Sequence, residues 1–383
     1  MNNILYIHQS AELYGSDKTL LYLVAEIKQK DFNPIVVLPS EGPLYDELKK
    51  HQIEIIIAPV LKISRKMFSI SNLILIPRQI FQAFSIINRH LNGRKIQWVH
   101  SNTLAVLIGA LYSKRYKIKH LWHVHEIIEH PKWISNLYPK IIDYFSDSVV
   151  YNSKATQDFM VNKKPNLIRK SHIVLNGFDR VTPVNSARDI KDFRSVNFKA
   201  TENEVVIALV GRISRWKGQQ LLLNAFKLLN QEIPQARLVF IGSAPPNQNE
   251  FLHALEDKIK DYQLEEKVTI LPFQNDVWKV WDCIDIAAVP STEPEPFGLV
   301  AIEAMLASKP VVGANHGGLK EIIINAETGF LVEPNDEGAL QTALSSLITN
   351  QPLREKMGIA GHQRAASVFS LKKYVQHFEN YYQ

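Results

Sequence analysis

The chain has 383 residues, 46% hydrophobic and 21% charged, a globular composition too long for one ordinary core, so two domains are expected. Its single cysteine, Cys283, excludes an intramolecular disulfide framework and fits a reducing cytosol. The net charge of +6 is uneven: residues 1–178 carry 23 Lys/Arg against 13 Asp/Glu and residues 179–383 carry 21 against 25, so the first half favours an anionic partner such as a phosphate-bearing acceptor, a membrane surface or nucleic acid.

The opening MNNILYIHQS has no basic leader or long apolar region and reads as a first strand rather than a signal peptide. Gly15 and Ser16 form a loop after that strand, leading into the helical run TLLYLVAEI, whose amino end suits a phosphate. Further strands are expected at PIVVLP (34–39), IEIIIAP (53–59), IQWVHS (96–101), HLWHVHE (120–126), SVVYNS (148–153) and HIVLNG (172–177). Apolar stretches such as LAVLIGALY (104–112) reach about half the length of a membrane span. In RQIFQAFSIINRHL (78–91), Ile80, Phe84, Ile87 and Leu91 repeat at helical spacing, with Arg78, Gln82, Ser85 and Arg89 opposite. With KRYKIKH (114–120) and SRK (64–66) this helix offers a basic face for an anionic membrane; the alternative is a core-facing helix with a solvated side. Nucleic acid is not expected, because the basic segments lack interleaved aromatic platforms.

HLWHVHEIIEH gathers His120, His123, His125 and His130 with Glu126 and Glu129. His123 and His125 alternate on a strand and share one side. A third ligand at fixed spacing is missing, so a hydrogen-bonded or core histidine is favoured over zinc.

Residues 179–204 are polar and poor in pattern, and read as a linker plus entry loops. A second series of strands follows at VVIALVG (205–211), ARLVFIG (236–242), KVTILPF (267–273), IDIAAVP (284–290), KPVVGAN (309–315) and TGFLVEP (328–334). Near-continuous apolar strands alternating with helices predict two α/β bodies, each a doubly wound parallel sheet, with a cleft between them at the strands' carboxyl ends. Arg212 and Lys217 follow a strand and precede a helix, where two cations match the charge of a diphosphate. In STEPEPFGLVAIEAM (291–305), Phe297, Gly298 and Leu299 open a helix whose first N–H groups attract phosphate. Glu295 precedes that turn and Glu303 lies one turn inside the helix; a carboxylate suits vicinal hydroxyls. Glu293 reads as a carboxylate favouring the helix dipole.

The spacing of Glu295 and Glu303 around PheGly resembles the E-x7-E signature of retaining glycosyltransferases of family 4, which have the GT-B fold. GRISRWKGQQLLLNAF (211–226), NHGGLKEII (315–323), TGFLV (328–332) and VLNGFD (174–179) resemble further landmarks of that family. YGSDKTLLYL (14–23) resembles its Gly-Gly-x-Glu loop, with Ser16 where a second Gly is common, and HVHEI (123–127) its His-Asp/Glu strand end.

The resemblance implies that Glu295 and His125 serve catalysis at the donor sugar, with His123 as the alternative histidine. It implies that Glu303 holds the ribose diol, that Arg212 and Lys217 clamp the diphosphate, and that Phe297, Gly298, Leu299, Gly15 and Ser16 line the donor. The expected domains are 1–178 for the acceptor, 179–365 for the donor, and 366–383 as a helix returning to the first domain. The expected function is transfer of a sugar from a nucleoside-diphosphate sugar to a glycan or lipid-linked acceptor, with retention. No metal or cofactor is expected, and no Asp-x-Asp pair occurs. The location would be cytoplasmic, peripheral at the cytosolic membrane face. The alternatives are an epimerase of the same fold or a catalytically silent sugar-nucleotide-binding protein. No G-x-G-x-x-G or Walker loop occurs, which counts against a dinucleotide oxidoreductase or a P-loop NTPase.

Overall fold

The computed structural model describes residues 2–61 and 70–383; the basic SRK segment (64–66) lies outside the described residues. The chain divides into two compact units, Met1–Phe178 with Ser370–Gln383, and Asp179–Phe369.

The first unit holds β1 (Asn2–His8), β2 (Phe32–Leu38), β3 (Glu54–Ile57), β4 (Trp98–Asn102), β5 (Lys119–Val124), β6 (Ser148–Tyr151) and β7 (Ser171–Ile173). They form one parallel sheet in the order β3-β2-β1-β4-β5-β6-β7. Leu5 of β1 lies opposite Ile35 of β2 and Val99 of β4. The chain reverses its direction across the sheet between β1 and β4, the switch point where open α/β sheets form a crevice beyond their strand ends. Successive residues of β1 face opposite ways. Ile4 and Tyr6 pack on helices Gly15–Ile27 and Leu371–Tyr382, while Leu5 and Ile7 pack with Ala83, Ile87 and Leu91 of helix Ile70–Leu91. Both faces are covered, which is why these strands are apolar without alternation. Each such side chain stabilises the fold by about 1.5–3 kcal/mol. On helix Ile70–Leu91, Arg78, Gln82 and Arg89 are exposed.

The second unit holds β8 (Val205–Val210), β9 (Ala236–Ile241), β10 (Val268–Leu271), β11 (Ile286–Val289), β12 (Val311–Ala314) and β13 (Gly329–Val332), parallel in the order β10-β9-β8-β11-β12-β13. Its switch point lies between β8 and β11. Ile207, Leu209, Leu238 and Phe240 pack on Leu222, Phe226 and Leu229 of helix Gln219–Glu232.

The segment 179–204 is not only linker: it contains helix Ala187–Asn197, which buries no residue. Its apolar spacing is short, Ile190 and Phe193 among charged residues, and both are only half-buried. The readable signal is its start, where Ser186 Oγ accepts from the Asp189 amide at 3.1 Å in a capping arrangement. Arg194 ties the helix down through Asp285 at 3.0 Å and the Glu204 carbonyl at 2.7 Å.

Helix Gln351–Val368 belongs to the second unit. The break follows it, and helix Leu371–Tyr382 packs in the first unit with Tyr374, Phe378 and Tyr382 buried. No described helix is long and apolar enough to cross a membrane.

Candidate functional site

In the second unit, β11 ends at Val289 and the helix Leu299–Leu306 begins after Gly298. Gly298 has φ +113°, and a Cβ there would lie 2.7 Å from Leu319, so only glycine makes this entry without strain. Glu295 sits in the intervening turn with its side chain 9% exposed. Its two oxygens accept from Lys217 Nζ at 3.0 and 2.9 Å, and Oε2 also accepts from Ser291 Oγ at 2.9 Å. A carboxylate this buried needs such compensation. The Glu295 carbonyl accepts from the Gly318 amide at 2.7 Å. Gly317 passes so close that a Cβ would lie 2.2 Å from that carbonyl oxygen. The glycine pair therefore lets the loop after β12 press on the turn and fix where Glu295 points.

The turn is fastened on its other side as well. The Thr292 amide donates to the Trp216 carbonyl at 2.8 Å, and His316 Nε2 lies 2.8 Å from the Ser291 carbonyl. That carbonyl can only accept, so His316 Nε2 carries the proton. Lys217 Nζ also stands 4.3 Å from the centre of the Trp216 ring. Arg212 is exposed just past β8, and its carbonyl accepts from Gln219 at 2.8 Å. Glu303 is half-buried on the helix and accepts from Trp281 Nε1 at 3.3 Å. Phe297 is buried, 6.1 Å from the Phe369 ring. Glu293 pairs with Arg215 at the surface.

In the first unit a second polar group collects where β1, β4 and β5 end. His8 closes β1, Asn102 closes β4, and His125 follows β5. His8 Nε2 meets Asp17 Oδ1 at 2.5 Å, Asn102 Nδ2 meets His8 Nδ1 at 3.0 Å, and His125 Nε2 meets Asn102 Oδ1 at 2.9 Å. Asp17 lies in the first turn of helix Gly15–Ile27 and also accepts from Ser10 Oγ at 2.5 Å and the Tyr14 amide at 2.8 Å. Burial alone would raise the Asp17 carboxyl, but these hydrogen bonds outweigh it and hold the group below its ordinary value. Gly15 and Ser16, expected as a loop, are instead the first two residues of helix Gly15–Ile27, and the Ser16 carbonyl faces Asn102 Nδ2 at 3.4 Å.

The histidines separate. Burial pulls His125 down to about 3 and His123 well below its ordinary value, so both are neutral near pH 7. The rings of His123 and His125 are 3.9 Å apart, on one side as their spacing predicts. His123 packs against Phe378 at 5.1 Å, and neither of its nitrogens has a hydrogen-bond partner among the described residues. His120 is a satisfied core histidine, bonded to Ser101 at 2.9 Å and facing the Phe145 carbonyl at 3.0 Å. Among the described residues, no group of three or more His, Cys, Asp or Glu is placed to hold a metal ion. A cavity of about 710 Å³ opens at the opposite, amino-terminal edge of the first sheet, by Asn2, Lys95, Trp98 and Lys119, away from the strand ends that carry His8, Asn102 and His125.

Sequence reasoning missed Ser291 and His316 as supports of Glu295, and His8, Asp17 and Asn102 around His125. One signal was available: His8, Asn102 and His125 are each a polar residue at or just past the end of an apolar strand of the same sheet.

Two doubly wound parallel sheets of this kind make the GT-B fold of glycosyltransferases. The structure of HepE from Anabaena in complex with UDP-glucose is similar over 100% of this chain and 99% of that one, with a TM-score of 0.85 and 23% identity. Residues 14–181 match the family model described as Glycosyltransferase Family 4, and residues 190–364 the model described as Glycosyl transferases group 1. The chain is 31% identical over 193 residues to the D-inositol 3-phosphate glycosyltransferase of Corynebacterium glutamicum, covering 47% of this chain and 46% of that protein. It is 30% identical over 271 residues to the alpha-1,3/1,6-mannosyltransferase ALG2 of Dictyostelium discoideum, covering 63% and 64%. The chain thus spans from about half to under two thirds of the length of these curated relatives.

Proposed function

We propose that the chain is a retaining glycosyltransferase that moves a sugar from a nucleoside-diphosphate sugar to a glycan or lipid-linked acceptor. The second unit would take the donor and the first the acceptor. The observation that carries this is the buried Glu295 carboxylate, held by Lys217 and Ser291 at the mouth of a helix. Both family models and the UDP-glucose complex of HepE support the same reading.

In this mechanism the diphosphate draws Lys217 away from Glu295 and meets Arg212 and the amides of Phe297, Gly298 and Leu299. The first N–H groups of a helix have no internal partner and carry partial positive charge. Glu295, released from its ammonium, accepts hydroxyls of the donor sugar. Glu303 holds the ribose diol, and His125 accepts a sugar hydroxyl, with Gly15 and Ser16 at the amino end of helix Gly15–Ile27 beside it. Two cations balance the departing diphosphate, so the donor binds without metal, and stabilising that charge is the largest catalytic contribution. The acceptor attacks on the face the diphosphate leaves, and the diphosphate helps remove its proton.

The acceptor is proposed to be membrane-borne and reached from the cytosolic face. Arg78 and Arg89 are exposed with Phe81, which is 76% exposed, and Lys114 lies 4.6 Å over the exposed Tyr144 ring. Such basic and aromatic faces suit anionic headgroups. Flotation with anionic vesicles should weaken at least about tenfold on reversing Arg78 and Arg89; indifference to both lipid charge and reversal removes the membrane.

The test of the transferase itself is donor turnover with a thermal-shift screen of nucleoside diphosphates and their sugars. A donor should raise the melting temperature, and Glu295→Ala should abolish its turnover while the protein stays folded. Near-normal turnover in that variant would remove Glu295 from the mechanism.

A further inference from the structure

The contact between His125 and Asn102 has a direction. Asp17 is an ionised carboxylate and can only accept, so at 2.5 Å the proton between it and His8 belongs to His8 Nε2. Asn102 Nδ2 donates to the Ser16 carbonyl at 3.4 Å, which can only accept, and lies 3.0 Å from His8 Nδ1, which also stands 3.3 Å from the Asn102 carbonyl. That fixes the amide the right way round, with Oδ1 toward His125. An amide oxygen only accepts, so His125 Nε2, 2.9 Å away, must carry its proton, leaving Nδ1 with the lone pair. We propose that Asp17, His8 and Asn102 are positioning residues that set His125 as the Nε2–H tautomer, so that Nδ1 faces the donor sugar as a hydrogen-bond acceptor.

The geometry makes this chain stiff. His8, Asp17 and Asn102 are at most 2% exposed, and each terminates or follows a different part of the β1–β4 switch point. Turning the Asn102 amide round would place donor against donor at His125 and acceptor against acceptor at the Ser16 carbonyl, which costs about the desolvation of two buried polar groups. Tautomer control by the partner of the other ring nitrogen is a general property of imidazoles. Here the fixing group is an amide, held by a second histidine and a carboxylate. An accepting His125 binds a sugar hydroxyl through the hydroxyl's own proton, leaving the oxygen's lone pairs for other donors. The inference rests on the reading of His125 as a partner of the donor sugar.

The test is the ring ¹³C and ¹⁵N shifts of His125 in histidine-labelled protein without any donor, identified by loss of its signals in His125→Gln. The expected result is the Nε2–H tautomer in the wild type, and a shift toward Nδ1–H or a mixture in Asn102→Ala and in Asp17→Ala. The Asp17 variant is the sharper one, because it acts through two intervening residues. Turnover of UDP-glucose, if that donor is used, should fall about tenfold in Asn102→Ala with KM within about twofold, the pattern of a contact made in the transition state. A merely structural role would lower turnover without moving the tautomer. Nδ1–H in the wild type overturns the proposal outright, even if neither variant folds. So does an unchanged tautomer in a folded Asn102→Ala or Asp17→Ala. A wild-type tautomer as expected, with normal turnover in His125→Gln, instead sinks the role of His125 at the sugar and with it the catalytic use of the chain.

Discussion

At the end of β11 a carboxylate is held by an ammonium and a hydroxyl; at the ends of β1, β4 and β5 a carboxylate, an amide and two imidazoles hold one another. Both groups stand at the switch point of a parallel sheet. Glu295 and Lys217 are opposite charges, and Lys217 keeps 18% of its side chain exposed, so a stronger anion can take its cation. His8, Asn102 and His125 are mutually satisfied and nearly sealed, so nothing is exchanged there and the geometry stays fixed. The difference teaches that the same position in the same architecture can be built either to trade partners or to hold direction.

The comparison is broken hardest at Glu295. Glu295→Gln should cut transfer about a hundred- to a thousandfold, on the scale of losing one group that stabilises developing charge. It should also tighten the nucleoside diphosphate, because Lys217 no longer has a carboxylate to leave. Calorimetric titration of diphosphate beside a turnover assay reads both, and parallel loss of the two would end the idea of exchange. Lys217→Ala should weaken diphosphate about tenfold to a hundredfold. It strands a buried carboxylate, so denaturant unfolding should show a loss of about 3 kcal/mol; unchanged stability would mean that the pair is not a partner set.

Acid sharpens the other side. Burial holds His100, His120, His123 and His125 below their ordinary value of 6.5, with His120 at about 4 and His125 at about 3. Below pH 6.5 the unfolded chain therefore binds more protons than the folded one, and stability falls as the pH drops from there toward about 3. Between pH 6.5 and 5.5 each histidine should remove about 1 kcal/mol. Hydrogen exchange should locate the early loss in the first unit, under helix Leu371–Tyr382, where His123 meets Phe378. Uniform loosening of both units would contradict that. The smallest effect belongs to Arg215→Ala, which breaks an exposed pair with Glu293 and should cost under about 1 kcal/mol with turnover unchanged.

Much of the fold was legible because parallel strands covered on both faces leave a plain mark. VVIALVG, ARLVFIG and IDIAAVP each contain a strand of the second sheet. Helix Ala187–Asn197 left no such mark, since none of its residues is fully buried. The site was legible where a motif is local, as in the turn from Ser291 to Gly298 with its glycine entry. It was illegible where partners are distant in sequence. Lys217 and Glu295 are separated by 78 residues, and His8 and Asn102 by 94. Which of His123 and His125 lies against the last helix could not be read either, because it depends on where that helix packs.

The sequence by itself determined two doubly wound sheets, a glycine-opened helix after an acidic turn, and two cations at the end of a strand. Each of these follows from spacing and residue type within a short stretch. Only the tertiary structure decided which cation meets Glu295, which histidine is sealed beneath Phe378, and which way the Asn102 amide points. Those are settled by contacts between chain segments far apart in sequence, where burial forces every donor to find an acceptor.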